Sequence, residues 1–344
     1  MMMHPVILAV IVLDLVSLLF LCRAAAGALG VEAYWAPGAS SRKQIRLERS
    51  YETAAISAKA VLALLAVSTS ILVFGVTNVF PEIVPGAMCG TGVLQAMKGQ
   101  GGRSFLFRFT AIALLYFWFV LEGLNRTRPD FPMARLNARI LLLASPFAVL
   151  AFLDTFNGFG SLDIHSPVGC CTVVYDRLAG GTTTQSLMGV SNPLLTLLFS
   201  SLTLLMVLFG LAGLMSDPRR LGKFSAASAI TAVVWAPVAA TALVRVFAAY
   251  YYEVLHHYCP WCLFLPEHHF AGFPLFLLLG AVVVESPVAY ALHRAARSYP
   301  GMEAAGHQKA RRALLWMIVF TALFTVMALW PALAWRIRFG IWIG

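Results

Sequence analysis

Charged residues are scarce in this chain: Asp, Glu, Lys and Arg together make up 12% of the 344 residues, whereas 60% are apolar. No polar stretch is long enough to fold as a separate soluble domain. Apolar runs of about 20 residues recur along the whole length instead, as is typical of transmembrane helices. These features exclude a soluble globular protein and predict an all-α, polytopic integral membrane protein.

Acidic residues are scarcer still, with 15 Asp and Glu against 25 Lys and Arg and a formal net charge of +10. In a soluble protein such an excess suggests nucleic-acid binding, but the chain contains no nucleic-acid-binding motif. In a membrane protein, basic residues accumulate in cytoplasmic loops. We therefore attribute the charge to membrane topology and expect the lipid bilayer, and no nucleic acid, as a partner.

The first apolar run has no Lys or Arg before it, so it lacks the basic region that opens a secretory signal peptide. We interpret this run as a retained first helix. Seven further runs follow, and we treat residues 1–344 as one transmembrane domain. The eight predicted spans cover residues 6–22, 55–79, 105–124, 140–156, 193–214, 226–250, 273–292 and 314–335.

Lys and Arg are divided unequally between the two sets of loops that these spans create. The loops after the first, third, fifth and seventh spans are rich in basic residues, and the other three loops contain few. The positive-inside rule therefore predicts that both termini and those three loops are extracytoplasmic. We expect a bacterial inner (cytoplasmic) membrane, with the three loops facing the periplasm or exterior. The basic set includes Arg42, Arg46, Arg49, Arg126, Arg128, Arg135, Arg139, Arg219, Arg220, Lys223, Arg294, Arg297, Lys309, Arg311 and Arg312.

The charged residues within the predicted spans include Asp14, Asp154, Arg245 and Glu285. Intramembrane charges are costly, so they are usually paired or functional. We expect Asp154 and Arg245 to be near the outer interface and Asp14 and Glu285 to have structural partners.

Five of the six cysteines fall in the three loops predicted to face outward, where an oxidising compartment permits disulfides. Cys89 lies in the first of these loops, and is either a third thiol of a site or a small packed residue. Cys170 and Cys171 are adjacent in the second loop. The remaining cysteine, Cys22, is interpreted as a packed apolar residue.

The third outward loop holds a Cys-x-x-Cys pair, Cys259 and Cys262, among four histidines. Two cysteines at this spacing can close a disulfide ring or bind one metal ion. Histidine supplies further ligands, or a base that lowers a thiol pKa. A polar loop that is merely rich in His and Cys is the simpler alternative. The histidines are His256, His257, His268 and His269.

The second and third outward loops resemble parts of the vitamin K epoxide reductase family of membrane thiol oxidoreductases. Residues 171–173 and 189–193 are similar to that family's loop cysteine and helix start, and residues 259–262 to its active Cys-x-x-Cys. The resemblance covers about residues 139–293 and implies a four-helix redox unit there. It also implies that Cys170 and Cys171 exchange with the Cys259–Cys262 pair, with a membrane quinone as electron acceptor. The flanking histidines are foreign to that family.

Three functions remain open. The leading hypothesis is a thiol–disulfide oxidoreductase, in which Cys259, Cys262, Cys170 and Cys171 pass electrons through mixed disulfides to an extracytoplasmic thiol-redox protein. The second is a metal-binding protein that exchanges Cu or Zn with a metal-carrying protein. In that case the ligands come from Cys259, Cys262 and the four histidines. The third is an integral subunit of a larger membrane complex.

Overall fold

The computed structural model describes residues 2–36, 41–162, 167–168, 191–254 and 257–342. Within these ranges the regular structure is helical, with no β-strand. Eight helical segments are long and apolar enough to cross a membrane, and many of their large apolar side chains are exposed. The prediction of an all-α, eight-span integral membrane protein is confirmed for the described residues.

The chain divides into two compact units, Met1–Pro85 with Gly92–Val168, and Gly86–Thr91 with Gly169–Gly344. Four consecutive long helices pack together in each unit. The single transmembrane domain at residues 1–344 and the four-helix redox unit at 139–293 stay predictions.

The first unit is a ring of four long helices. Helix α1 neighbours α2 and α5, and α4 neighbours the same two helices. Small residues such as Ala24, Ala58 and Ala111 are wholly buried in its core, which lets the backbones approach closely. Its helices are α1 (Pro5–Tyr34), α2 (Arg42–Phe74), α4 (Gln100–Asn125) and α5 (Ala134–Gly160), and the short α3 (Gly90–Ala96) lies between α2 and α4.

A buried ion pair crosses this ring inside the apolar region. Both guanidinium NH groups of Arg108 in α4 donate to the carboxylate of Asp14 in α1. Ser68 in α2 donates to the same carboxylate over 2.6 Å, and Arg108 also donates to Thr155 in α5 over 3.0 Å. Asp14 therefore has the structural partner that its position predicts, and the pair ties all four helices together.

One other prediction about a single residue is wrong. Cys22 is exposed on α1, because it falls one position beyond the buried face that contains Leu21 and Ala24. Arg245 is buried within the protein, and its position near the outer membrane interface stays a prediction.

The second unit repeats this ring. Helix α6 neighbours α7 and α10, and α9 neighbours the same two helices. In both units a π-helical turn follows the second long helix, at Gly75–Val79 and Leu243–Phe247. The connections after these turns contain Cys89 and the Cys-x-x-Cys pair. The helices are α6 (Asn192–Met215), α7 (Pro218–Ala242), the short α8 (Ala248–Tyr252), α9 (Gly272–Ser298) and α10 (Glu303–Phe339).

Candidate functional site

Three cysteines converge within the second unit. The sulfur atoms of Cys89, Cys259 and Cys262 all lie within 4.8 Å of one another. The three residues are 0%, 1% and 7% exposed, so the cluster is buried. The Sγ atoms of Cys89 and Cys259 are 3.3 Å apart, which exceeds the disulfide bond length of about 2.05 Å. These two sulfurs are therefore in contact but not bonded.

The Cys-x-x-Cys pair is shaped by the proline between its cysteines. Pro260 starts a short 3₁₀ helix, Pro260–Phe264, and proline suits that position because its φ is fixed and the first amide needs no partner. Cys259 precedes the helix in an extended conformation, and Cys262 lies one turn into it. This turn brings both sulfurs to the same side. A second proline, Pro266, starts another 3₁₀ turn directly afterwards.

Cys89 reaches the pair because a glycine follows it. A Cβ atom on Gly90 would lie 3.0 Å from the indole ring of Trp261, so the 86–91 segment and the Cys-x-x-Cys loop approach as closely as glycine allows. The Oγ1 atom of Thr91 lies 3.4 Å from Sγ of Cys259. Cys89 and Thr91 thus flank Cys259.

Tyr252, at the end of α8, holds the loop in place. Its hydroxyl donates to the carbonyl oxygen of Cys259 over 2.5 Å. Its ring packs edge-on against the rings of His257 and His268, with centroids 4.9 and 4.6 Å away. One buried aromatic side chain therefore positions the first cysteine and two of the loop histidines.

The three loop histidines that the structure describes have different surroundings. Nε2 of His257 lies 3.1 Å from Sγ of Cys262, so this imidazole contacts the cluster directly. His268 uses Nδ1 to donate to the carbonyl of Tyr251 over 3.1 Å. Partial burial lowers the pKa of His268 from its ordinary value, and the hydrogen bond to Tyr251 opposes that shift. His269 is exposed, with a left-handed φ of 55°.

Several predicted site residues lie outside the described part of the chain. They are Cys170, Cys171 and His256. Cys259 and Cys262, predicted as the centre of the site, do lie together, and Cys89 joins them.

Sequence reasoning left the role of Cys89 open and did not single out Tyr252 or Thr91. The one available signal for Cys89 was its setting among Gly86, Gly90 and Gly92. A glycine-rich segment permits close backbone approach, but it does not identify the partner.

The cluster offers two kinds of chemistry. Three thiols within reach of one point provide soft donors for one metal ion, and the imidazole of His257 beside Cys262 offers a nitrogen as a fourth donor. Two thiols in contact can instead be oxidised to a disulfide. A search with protein-family models found no match to this chain, and comparisons with curated proteins and with solved structures found none either.

Proposed function

We propose that this integral membrane protein binds one thiophilic metal ion, Cu(I) or Zn(II), through the thiolates of Cys89, Cys259 and Cys262. The observation that carries the proposal is the convergence of three buried sulfurs from two separate connections within 4.8 Å. Two ligands held about 2.3 Å from a tetrahedral zinc ion lie about 3.8 Å from each other. The sulfur positions need only small adjustments to reach that spacing.

Burial favours metal binding over exchange with a partner protein. A mixed disulfide forms when a thiolate attacks a disulfide sulfur in line with the S–S bond that breaks, and the second sulfur leaves as a thiolate. A cysteine that exchanges with a partner protein is therefore partly exposed. Cys89 and Cys259 are essentially inaccessible, and Cys262 is only 7% exposed. A single ion can enter where a partner's loop cannot. Cys262 and its neighbour His257 mark the more open edge of the cluster.

His257 has a supporting role in this proposal. Its Nε2 atom contacts Cys262, so as an N–H donor it would stabilise the thiolate form and orient that ligand. If Nε2 carries no proton, it would instead become a fourth ligand to the ion after a small movement of the ring. In the donor role, loss of His257 should lower metal affinity less than loss of a cysteine, whereas in the ligand role the two losses should be comparable.

Thiol–disulfide exchange is the second candidate, and the 3.3 Å contact between Cys89 and Cys259 favours it. A disulfide between these residues requires the two sulfurs to move about 1.3 Å closer. The resemblance to the vitamin K epoxide reductase family makes a membrane quinone the proposed electron acceptor in that case. The relay to Cys170 and Cys171 stays a prediction.

We place the cluster on the extracytoplasmic side, together with both termini, in a bacterial inner membrane. The support is the distribution of basic residues: Arg126 and Arg128 follow α4, Arg219 and Arg220 follow α6, and Arg297 ends α9. All belong to connections on the side opposite the cysteine connections. A metal-carrying protein outside the cytoplasm is the proposed partner.

Metal competition with the purified full-length protein tests the proposal. The protein is reduced without oxygen, loaded with Cu(I) or Zn(II), and titrated with a chelator of known affinity while bound metal is quantified. The variants are Cys89→Ser, Cys259→Ser and Cys262→Ser, and Cys22→Ser is the matched control because this cysteine is exposed on α1. Loss of a supporting residue typically costs about 10–100-fold in metal affinity, so loss of a ligand should cost at least about 100-fold.

We expect one ion per chain for the unmodified protein and for Cys22→Ser, and weak binding for the other three variants. Metal-free protein with a Cys89–Cys259 or Cys259–Cys262 disulfide that forms and reduces reversibly would support the second candidate instead. Equal metal affinity in all four variants would rule out the cluster as the ligand set.

A further inference from the structure

A pocket of about 480 Å³ lies at the opposite ends of the second unit's helices from the cysteine connection. Its walls come from the last turn of α6, the first residue of α7 and the first three turns of α10. The polar part of the lining is cationic or hydrogen-bonding, and the rest is apolar. Four polar side chains line it: His307, Gln308, Arg311 and Arg312.

We infer that this pocket binds the phosphate headgroup of an anionic phospholipid. Arg311 is oriented by a hydrogen bond that its guanidinium donates to the carbonyl of Ser216, over 2.7 Å. Arg312, one residue further along α10, is exposed at the pocket. Two arginines on one side of a pocket bind a phosphate through charge-assisted, often bidentate hydrogen bonds.

Buried polar atoms of two lining residues favour a ligand that carries hydrogen-bond acceptors. Nε of Arg311 and Nε2 of His307 are buried and have no hydrogen-bond partner among the described residues. The ring of His307 stacks on that of buried His293, with centroids 5.2 Å apart. A buried N–H donor without an acceptor, such as Nε of Arg311, is costly, and phosphate oxygens are acceptors.

Positive charge dominates around the pocket. The positive charge of Arg297 is close enough to act on His307, and the negative charge of Glu303 acts on the same imidazole in the opposite sense. Exposed Arg219, Arg220 and Lys223 lie on the first turns of α7, next to the wall that Pro218 contributes. Basic pockets between transmembrane helices on the cytoplasmic side are characteristic sites for anionic lipid headgroups.

The apolar surroundings favour a lipid over free phosphate. The wall residues Leu214 and Leu315 lie where α6 and α10 enter their apolar segments. An exposed apolar stripe runs along α6 towards the pocket and provides a surface for acyl chains. It consists of Leu204, Leu208, Leu211 and Met215.

Lipid retention by the purified full-length protein tests this inference. The protein is washed in detergent and given phosphatidylglycerol, phosphatidylcholine or inorganic phosphate, and both bound lipid and the shift in thermal unfolding are measured. The test variant is Arg311→Gln/Arg312→Gln. The matched control is Arg46→Gln/Arg49→Gln, which removes two exposed arginines from α2 of the first unit and none from the pocket lining.

We expect phosphatidylglycerol to bind the unmodified protein and the control, and to bind the test variant about 30-fold more weakly, since each of the two arginines near the lipid surface contributes about fivefold. Phosphatidylcholine and inorganic phosphate should have little effect. Equal phosphatidylglycerol binding by both double variants would overturn the inference. A stabilisation by inorganic phosphate equal to that by phosphatidylglycerol would reassign the pocket to a free anion.

A second variant keeps the inference testable if the double arginine variant does not fold. Gln308→Glu introduces a negative charge at an exposed position of the lining without removing the Arg311–Ser216 hydrogen bond. We expect it to reduce phosphatidylglycerol binding and to leave metal binding at the cysteines unchanged. Unreduced lipid binding in this variant would contradict the assignment.

Discussion

The Sγ atoms of Cys89 and Cys259 lie 3.3 Å apart although 170 residues separate them in the chain. Each follows the second long helix of a four-helix ring, and Cys262 completes a group of three sulfurs. A contact between residues so distant in sequence requires both connections to hold defined conformations. Gly90, Pro260 and Tyr252 help to fix the conformations of these connections.

The first prediction concerns the close approach at Gly90. Gly90→Val should slow formation of a Cys89–Cys259 disulfide under a mild oxidant, because a side chain there meets the indole of Trp261 at 3.0 Å and pushes Cys89 away. Gly102→Ala is the control, since a Cβ at that position meets nothing within 4 Å. The yield of the disulfide-linked peptide, measured by mass spectrometry, should fall severalfold in the first variant alone. Unchanged yields in both would mean that the contact does not depend on glycine.

A second prediction concerns the buried ion pair of the first unit. Arg108→Gln should lower the free energy of unfolding by about 3–5 kcal/mol, because it leaves the carboxylate of Asp14 buried without its cation. Replacing both partners with apolar residues, Asp14→Leu/Arg108→Met, should recover much of the loss.

Arg103→Gln is the control for that experiment. It breaks an ion pair with Asp154 in which the arginine side chain is 60% exposed, so the expected cost is below about 1 kcal/mol. The unfolding free energies are measured in mixed detergent micelles. Similar losses of unfolding free energy in Arg108→Gln and Arg103→Gln would show that the buried ion pair stabilises the protein no more than the exposed one.

A third prediction concerns pH. Desolvation lowers the pKa of His268, so the folded protein takes up this proton at lower pH than the unfolded chain does. The stabilisation is therefore present above the ordinary histidine pKa of about 6.5 and is lost as pH falls from there through the lowered value.

The unfolding temperature of metal-free protein should accordingly fall between pH 7 and 5, and fall less in His268→Gln, whose amide still donates to the Tyr251 carbonyl. His269→Gln, at an exposed position, should retain the full pH dependence. The same fall in unfolding temperature with pH in all three proteins would mean that other groups cause the pH dependence.

A fourth prediction concerns membrane orientation. A cysteine introduced at exposed Glu267 should react with a membrane-impermeant maleimide added to intact cells, and one at exposed Thr127 should react only after the membrane is opened. The reaction is measured as the mass increment over the parent protein, whose cluster cysteines are buried. The opposite pattern would place the cysteine connections in the cytoplasm.

The transmembrane architecture was predictable because apolar runs of about 20 residues have few alternatives to membrane helices. The partner of Asp14 was not predictable in the same way. Arg108 lies in another span, and sequence spacing does not determine which helix faces meet.

The candidate site was predictable only in its local part. A Cys-x-x-Cys spacing identifies Cys259 and Cys262, because both ligands come from one turn. Cys89 remained undecided, since its proximity depends on tertiary packing over 170 residues. The four histidines looked equivalent in sequence, yet His257 contacts a sulfur, whereas His268 binds a backbone carbonyl.

X-ray absorption spectroscopy on the metal-loaded protein tests the central claim most directly, because it counts the sulfur ligands around the ion. We predict one Cu(I) or Zn(II) per chain with three sulfur neighbours at about 2.3 Å, and the same spectrum for Cys22→Ser. In Cys89→Ser any remaining bound ion should have two sulfur neighbours. A spectrum dominated by nitrogen and oxygen ligands, or one unaffected by Cys89→Ser, would contradict the three-cysteine metal site.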